Sequence, residues 1–480
     1  MTRRQRLTLA AAILGSGVAT LDGTIVNVAL PAIERDLGGG LPAQQWVSNA
    51  YLLALGSLIL IGGSLGDIYG ERRVFALGVA AFGVFSVACA LAPTIGVLIA
   101  ARTLQGAAGA LLTPSSLAII VTAFRARERA QAIGAWTAWG GIAAVVGPFA
   151  GGAIIDQISW RWIFALNVPL VAATLVLIAA AVPRAPALQR RIDYPGAALC
   201  TLGLAGIVFA LIEQPRFGWS SPGIFLPLAG GAVAFASFVA HEQRAAGPMV
   251  KLELFGRRNF AVGNVETLTM YAGLSILFFF LVIFLQQVAG YSALESGLAT
   301  LPTTLIMFAL SRRFGMLADR YGPRLFMGAG PLISAGGVLL LLRAGMHASY
   351  PADVLPALIV FSLGLTITVA PLTAAVLADA DEADAGIASG INNAVARVAG
   401  LIGVSVIGVV VASTLVGDTF ARNTESVRAF HEAIVIAAAL LAVGGLSGLL
   451  GITNARRSVR AEQCPGGQLV GVPEPAVQRV

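Results

Sequence analysis

Apolar runs longer than a globular core requires recur along the whole chain. The stretches Val168–Val182 and Ile434–Leu450 are two of them. About 20 such residues carry a helix across a bilayer, and only helices and closed barrels span one, because backbone polar groups must be satisfied internally. A membrane barrel alternates polar and apolar residues in stretches of about ten; these runs are continuous. The pattern predicts an all-α polytopic membrane protein with fourteen spans, near 7–31, 46–66, 73–93, 95–119, 131–155, 161–182, 195–213, 222–240, 260–288, 294–311, 325–345, 353–378, 386–416 and 430–452.

Composition closes off the alternatives. Hydrophobic residues make up 57% of the 480 and charged residues 11%, against roughly 25% charged in a soluble domain. A soluble fold with this surface would aggregate, which excludes a soluble enzyme, a disordered chain and a nucleic-acid binder. Glycine, at 56 residues, suits the close helix packing of membrane bundles. Three cysteines and three histidines are scattered, with no spacing for a metal or a disulfide framework. Lys251 is the single lysine and lies in no phosphate-binding loop, so ATP hydrolysis and cofactors are not expected.

Arginine placement orients the spans. With the N-terminus inside, twenty-three basic residues fall on inner segments and six on outer ones, while Arg102 and Arg397 fall within spans. This follows the positive-inside rule, places both termini in the cytoplasm, and accounts for the net charge of +7 without nucleic acid. The first span is too long for a cleavable signal and carries Asp22. The polar residues after Gly451 are expected to form a flexible cytoplasmic extension.

The chain repeats itself. Residues 63–73 and 315–324 share the pattern G-x-L-x-D-x-Y-G-x-R. Repeated halves are how many transporters are built, with the site between them near mid-membrane. Each copy reads as a tight turn holding an aspartate between glycines, followed by arginines: Gly63, Asp67, Gly70, Arg72 and Arg73 in one, Asp319, Arg320 and Gly322 in the other. Carboxylates suit helix N-termini and arginines bridge to neighbouring segments, so these residues are candidates for conformational gating.

At this point the sequence resembles the major facilitator superfamily, whose signature here is G-x-L-a-D-r-x-G-r-k; Ile68 and Glu71 stand where the family usually has basic residues. Residues 21–31 (L-D-G-T-I-V-N-V-A-L-P) resemble the first-helix signature of its fourteen-spanner drug:proton antiporter branch. Residues 98–109 resemble the fourth-helix arginine motif, and 141–152 the fifth-helix antiporter motif, with Gly147, Pro148, Gly151 and Gly152. The resemblance implies two six-helix bundles (1–185 and 259–452) flanking two additional helices with a cytoplasmic linker (186–258), and a tail (453–480). It also implies alternating access about a central cavity.

Intramembrane charges are costly, face the protein interior and usually pair. Counted from their outer ends, Asp22 and Arg102 lie at similar depth, about 13 and 10 Å in. They are therefore expected to face one cavity and interact, as proton-coupling groups. Glu266 in span nine is a second candidate, its alternative a snorkelling carboxylate near the interface. Arg397 is a candidate partner for a carboxylate. Asn27, Gln105, Trp136, Trp139, Asn392 and Asn393 are candidates for the substrate cavity. Glu213 is expected to meet water. Trp46, Trp160, Trp162 and Trp219 are expected at the membrane belt, and the acidic run 379–384 in a solvated loop. The expected activity is proton-coupled export of small hydrophobic or cationic compounds, multidrug efflux, by a monomer in a bacterial inner membrane. The alternatives are a dedicated exporter of one metabolite or antibiotic, or a non-transporting receptor on the same fold.

Overall fold

A computed structural model describes residues 1–183, 193–245, 247–378 and 385–454. The acidic run 379–384, Arg184, Arg190, Arg191 and the tail from 455 onward lie outside the described residues. The helices, in order, are α1 (Arg3–Leu37), α2 (Gly40–Tyr69), α3 (Glu71–Ala90), α4 (Ile95–Ala123), α5 (Ala126–Gln157), α6 (Arg161–Ala165), α7 (Asn167–Ala181), α8 (Tyr194–Phe217), α9 (Pro222–Glu242), α10 (Arg258–Ile283), α11 (Ala293–Ala299), α12 (Leu301–Tyr321), α13 (Pro323–Leu339), α14 (Leu355–Ala378), α15 (Ala385–Ala412) and α16 (Thr424–Gly451). The pairs α6–α7 and α11–α12 each make one span. Among the described residues thirteen spans are long and apolar enough to cross a membrane, and α2 makes a fourteenth when its two stretches are taken together.

The fourteen expected spans are all present, but several ends differ. Helix α1 runs on to Leu37, α16 starts at Thr424, and α15 stops at Ala412. The largest correction concerns the repeat. Its first seven residues are not a loop: α2 continues to Tyr69 and α12 to Tyr321, so Asp67 and Asp319 lie in last helical turns. The whole turn is one glycine in each copy, Gly70 at φ 89° and Gly322 at φ 87°. Only glycine adopts that backbone at little cost, so two helices meet end to end without a loop.

The repeat extends to arginines that close helix C-termini. The last carbonyls of a helix lack intrahelical donors and carry the negative end of its dipole. Arg4, at the start of α1, donates from Nε to the Ala181 carbonyl at 3.1 Å, and Arg72, at the start of α3, from Nη2 to that of Ala179 at 3.1 Å. In the other half Arg258, starting α10, donates to the carbonyls of Gly451 (2.7 Å) and Leu450 (3.2 Å). Arg324, starting α13, donates to Leu449 at 2.7 Å. Each bundle thus ties its first and third spans to the end of its sixth.

Helices α8 and α9 pack on each other, and α8 leans on both α2 and α15. That seam is apolar: Leu53, Leu204, Val208, Ile212 and Leu401 form one buried cluster. Glu213 is half-buried there. Its Oε1 accepts from Trp46 Nε1 at 2.8 Å, so Trp46 is bound rather than left to the belt. Trp160 is likewise buried and donates to Asp36, whereas Trp162 and Trp219 are 56% and 49% exposed.

Candidate functional site

Asp22 is wholly buried and accepts from three side chains on two other helices. Arg102 Nη1 of α4 forms a close ion pair with its Oδ2. Gln105 Nε2, one turn on, donates to Oδ1 at 3.1 Å, and Asn167 Nδ2 of α7 donates to the same oxygen at 2.9 Å. The donors are themselves held. Gln105 Nε2 and Asn167 Nδ2 both reach Ser86 Oγ of α3, at 2.7 and 2.9 Å, and Gln105 Oε1 accepts from Arg102 at 2.7 Å and from Cys89 Sγ at 3.6 Å. The Arg102 guanidinium lies 4.2 Å from the centre of the Tyr51 ring and its Nε donates to the Val47 carbonyl at 3.3 Å. A buried charge is tolerated when paired and hydrogen-bonded, and this cluster provides both.

The structure therefore brings Asp22, Arg102 and Gln105 together, but inside the first bundle; here they are sealed among α1, α3, α4 and α7 rather than open to a cavity. Asn167, Ser86, Cys89 and Tyr51 were not singled out from sequence. The signal for Asn167 was present: an amide at the head of the apolar run 168–182.

Glu266 stands elsewhere and is not a snorkelling carboxylate. It is fully buried, faces Gly444 and Gly448 of α16, and neither carboxyl oxygen has a hydrogen-bond partner among the described residues. Asn392 Nδ2 donates to Asn264 Oδ1 at 3.1 Å and Thr267 Oγ1 at 2.8 Å, joining α15 to α10. Asn393 and Arg397 are exposed on one face of α15, and no carboxylate pairs with Arg397 among the described residues. Asn27 is half-buried on α1. Trp136 packs against the cluster of Ala12, Ile120, Phe124 and Ala132, while Trp139 is 53% exposed. Neither tryptophan touches the Asp22 cluster.

The gating candidates divide by face. On the arginine-rich face Arg72 closes α7, Arg73, Asp319 and Arg320 are exposed, and Gly63 lies against Pro114 of α4. On the opposite face α5 packs against α1 on one side and against α11 of the other bundle on the other. Gly147 and Gly151 abut Thr24 and Ile25 of α1. Gly152 abuts Leu294, and Gly297 abuts the Pro148 carbonyl. Here an unforeseen residue joins the halves: Asp156 at the end of α5 accepts from the backbone amides of Ala293 (3.1 Å) and Leu294 (2.8 Å). Gln286 Nε2 to the Val28 carbonyl (3.0 Å), Gln287 Nε2 to Glu34 (3.3 Å), Gln45 Nε2 to the Val404 carbonyl (2.6 Å) and Asn49 Nδ2 to Ser405 Oγ (3.0 Å) complete a seal on this face.

A model of the Major Facilitator Superfamily matches residues 12–404. The chain belongs to that superfamily. It is 36% identical over 417 residues to the multidrug resistance protein Stp of Mycobacterium tuberculosis (strain CDC 1551 / Oshkosh), covering 86% of this chain and 77% of that one. It is 34% identical over 422 residues to the tetracenomycin C resistance and export protein of Streptomyces glaucescens, covering 86% and 77%. Among solved structures it superposes on a bacterial homologue of the human lysosomal transporter Spinster, in an inward-facing and unoccupied conformation. The TM-score is 0.68 at 15% identity, covering 94% of this chain and 97% of the other. The chain is thus a multi-pass membrane protein with the major facilitator fold, in a superfamily of transporters.

Proposed function

We propose that this protein exports small molecules across a bacterial cytoplasmic membrane in exchange for protons, by alternating access. The observation that carries the reading is the Asp22 cluster: an ionisable group in the membrane interior, bound by donors that a conformational change can rearrange. Such a buried, paired charge is costly to hold in the membrane interior unless its partners stay in place, so a change in helix packing acts on it directly. Export is supported by relatives named for multidrug resistance and for tetracenomycin C resistance and export. In this reading both termini are cytoplasmic, the sealed face is external, and the working unit is a monomer. Residues 1–185 and 259–452 are the moving bundles, and 186–258 braces one seam. A narrow exporter of one antibiotic is the second reading, favoured by the relative named for a single compound.

The test is substrate-driven proton movement in proteoliposomes, comparing wild type with Asp22→Asn across a panel of charged and neutral lipophilic compounds. Proton efflux upon substrate addition, lost in Asp22→Asn, is expected. Equal proton movement in both proteins would remove Asp22 from the coupling path. Response to one compound in the panel selects the narrow reading.

A further inference from the structure

Arg397 lies twelve residues from the start of α15 and fifteen from its end, or about 18 and 22 Å at 1.5 Å per residue. This is the middle of the membrane. Its side chain is exposed all the same. A guanidinium at that depth is expelled from lipid and must meet water or an opposite charge. Among the described residues it meets no carboxylate: Asp22 belongs to Arg102, and Glu266 is buried against α16. The exposed surface around Arg397 is therefore aqueous.

Its neighbours place that surface. The Arg397 Cβ lies 3.3 Å from where a Cβ on Gly56 of α2 would stand, so α2 and α15 touch there. About two turns toward the sealed face, Gln45 and Asn49 hold Val404 and Ser405. One turn the other way Asn393 is exposed on the same side of the helix. Tyr51 of α2 is buried under Arg102, its hydroxyl donating to the Ala19 carbonyl at 3.3 Å. A cation with no carboxylate partner among the described residues thus stands beneath the seal, with an exposed amide one turn away.

We propose that Arg397 is the anion-binding group of the substrate cavity, and that the substrates are apolar or aromatic molecules bearing a carboxylate or a comparably acidic group. This replaces cationic compounds as the expected class and rests on the export reading above. The acid group docks on Arg397, and the apolar body lies along α2 and α10, the helices that α15 packs against.

Two measurements test it separately from proton coupling. The first needs no substrate. In a chain with Cys89, Cys200 and Cys464 changed to serine, Asn393→Cys is labelled with the anionic sulfonatoethyl and the cationic trimethylammonioethyl methanethiosulfonates. Expected is a preference for the anionic reagent that falls at least tenfold when Arg397→Gln is added and persists in Arg397→Lys. An unchanged ratio, or no reaction with either reagent, overturns the proposal. The second is equilibrium binding of pyrenebutyrate and its methyl ester to the purified protein. The acid is expected to bind at least tenfold more tightly, with Arg397→Gln erasing the difference; equal binding, or none, to wild type counts against it. Charge-selective labelling and binding in a protein that moves no protons would leave the anion site standing and overturn the coupling reading instead.

Discussion

Two buried carboxyls make opposite demands on the fold. Removing the charge of Asp22 strands a guanidinium that is 1% exposed, and breaking one partner of a buried pair costs about 3–5 kcal/mol. Asp22→Asn should therefore unfold at a clearly lower temperature in detergent, with Asn167→Leu intermediate, since it leaves Asp22 two of three side-chain donors and loses about 1–3 kcal/mol. Glu266 has no partner to lose among the described residues, so the near-isosteric Glu266→Gln should cost less than about 1.5 kcal/mol. A loss for Glu266→Gln matching that of Asp22→Asn would mean that Glu266 holds a counter-group. The sequence told these residues apart only in part. Asp22 and Arg102 stood out because charges within apolar runs are rare and counting residues fixes their depth. Depth does not fix direction. Which way Glu266 points depends on the rotation of α10, and the role of Asn167 depends on that of α7, and neither rotation is written in spacing.

Elements were legible to the extent that their ends are chemical. The turn glycines of the repeat predicted turns, and both have φ near +90°; what spacing did not convey is that the seven repeat residues before each stay helical right up to it. Because each helix–helix junction is a single residue, it has nowhere to relax. Gly70→Ala and Gly322→Ala should each destabilise by about 1–3 kcal/mol, the cost of a strained backbone, with Gly322→Ala the worse because Gly322 already abuts the Asn454 side chain. Thermal unfolding of the two variants checks the order. The arginine closures were invisible in sequence, since their acceptors are main-chain carbonyls that every residue carries. They predict a matched pair: Arg72→Ala and Arg324→Ala each lose one charge-assisted bond to a helix end, about 1.5–3 kcal/mol. Hydrogen exchange should rise at the last turn of α7 in the first variant and of α16 in the second, and nowhere else. Exchange spreading through the whole bundle would show that the closure is not local.

At the scale of the molecule, the seal on the arginine-poor face adds hydrogen bonds and glycine contacts to an apolar cluster that both bundles share, from Ile25, Leu30 and Ile33 of α1 to Ile276 and Phe280 of α10. Asp156 contributes two of those bonds. Both are charge-assisted, and both reach the amide-bearing start of α11, where a carboxylate is favoured. Neither bond can persist once α5 and α11 separate, so their free energy biases the molecule toward the state seen here. Removing them with Asp156→Ala, at about 1.5–3 kcal/mol, should shift the balance toward the oppositely open state by about ten- to hundredfold, since 1.4 kcal/mol is tenfold. Gly152→Val should act in the same direction by a different route, because a side chain there collides with Leu294. Spin labels at Ile158 of the first bundle and Val416 of the second, both exposed, would report the change by pulsed electron resonance. A longer-distance population should appear in both variants, and Asp156→Asn should fall between Ala and wild type. An unchanged distance distribution in Asp156→Ala, with Gly152→Val shifted, would assign the closure to packing alone and leave Asp156 as a helix cap. Shifts in both would establish that charge and packing close the same face together.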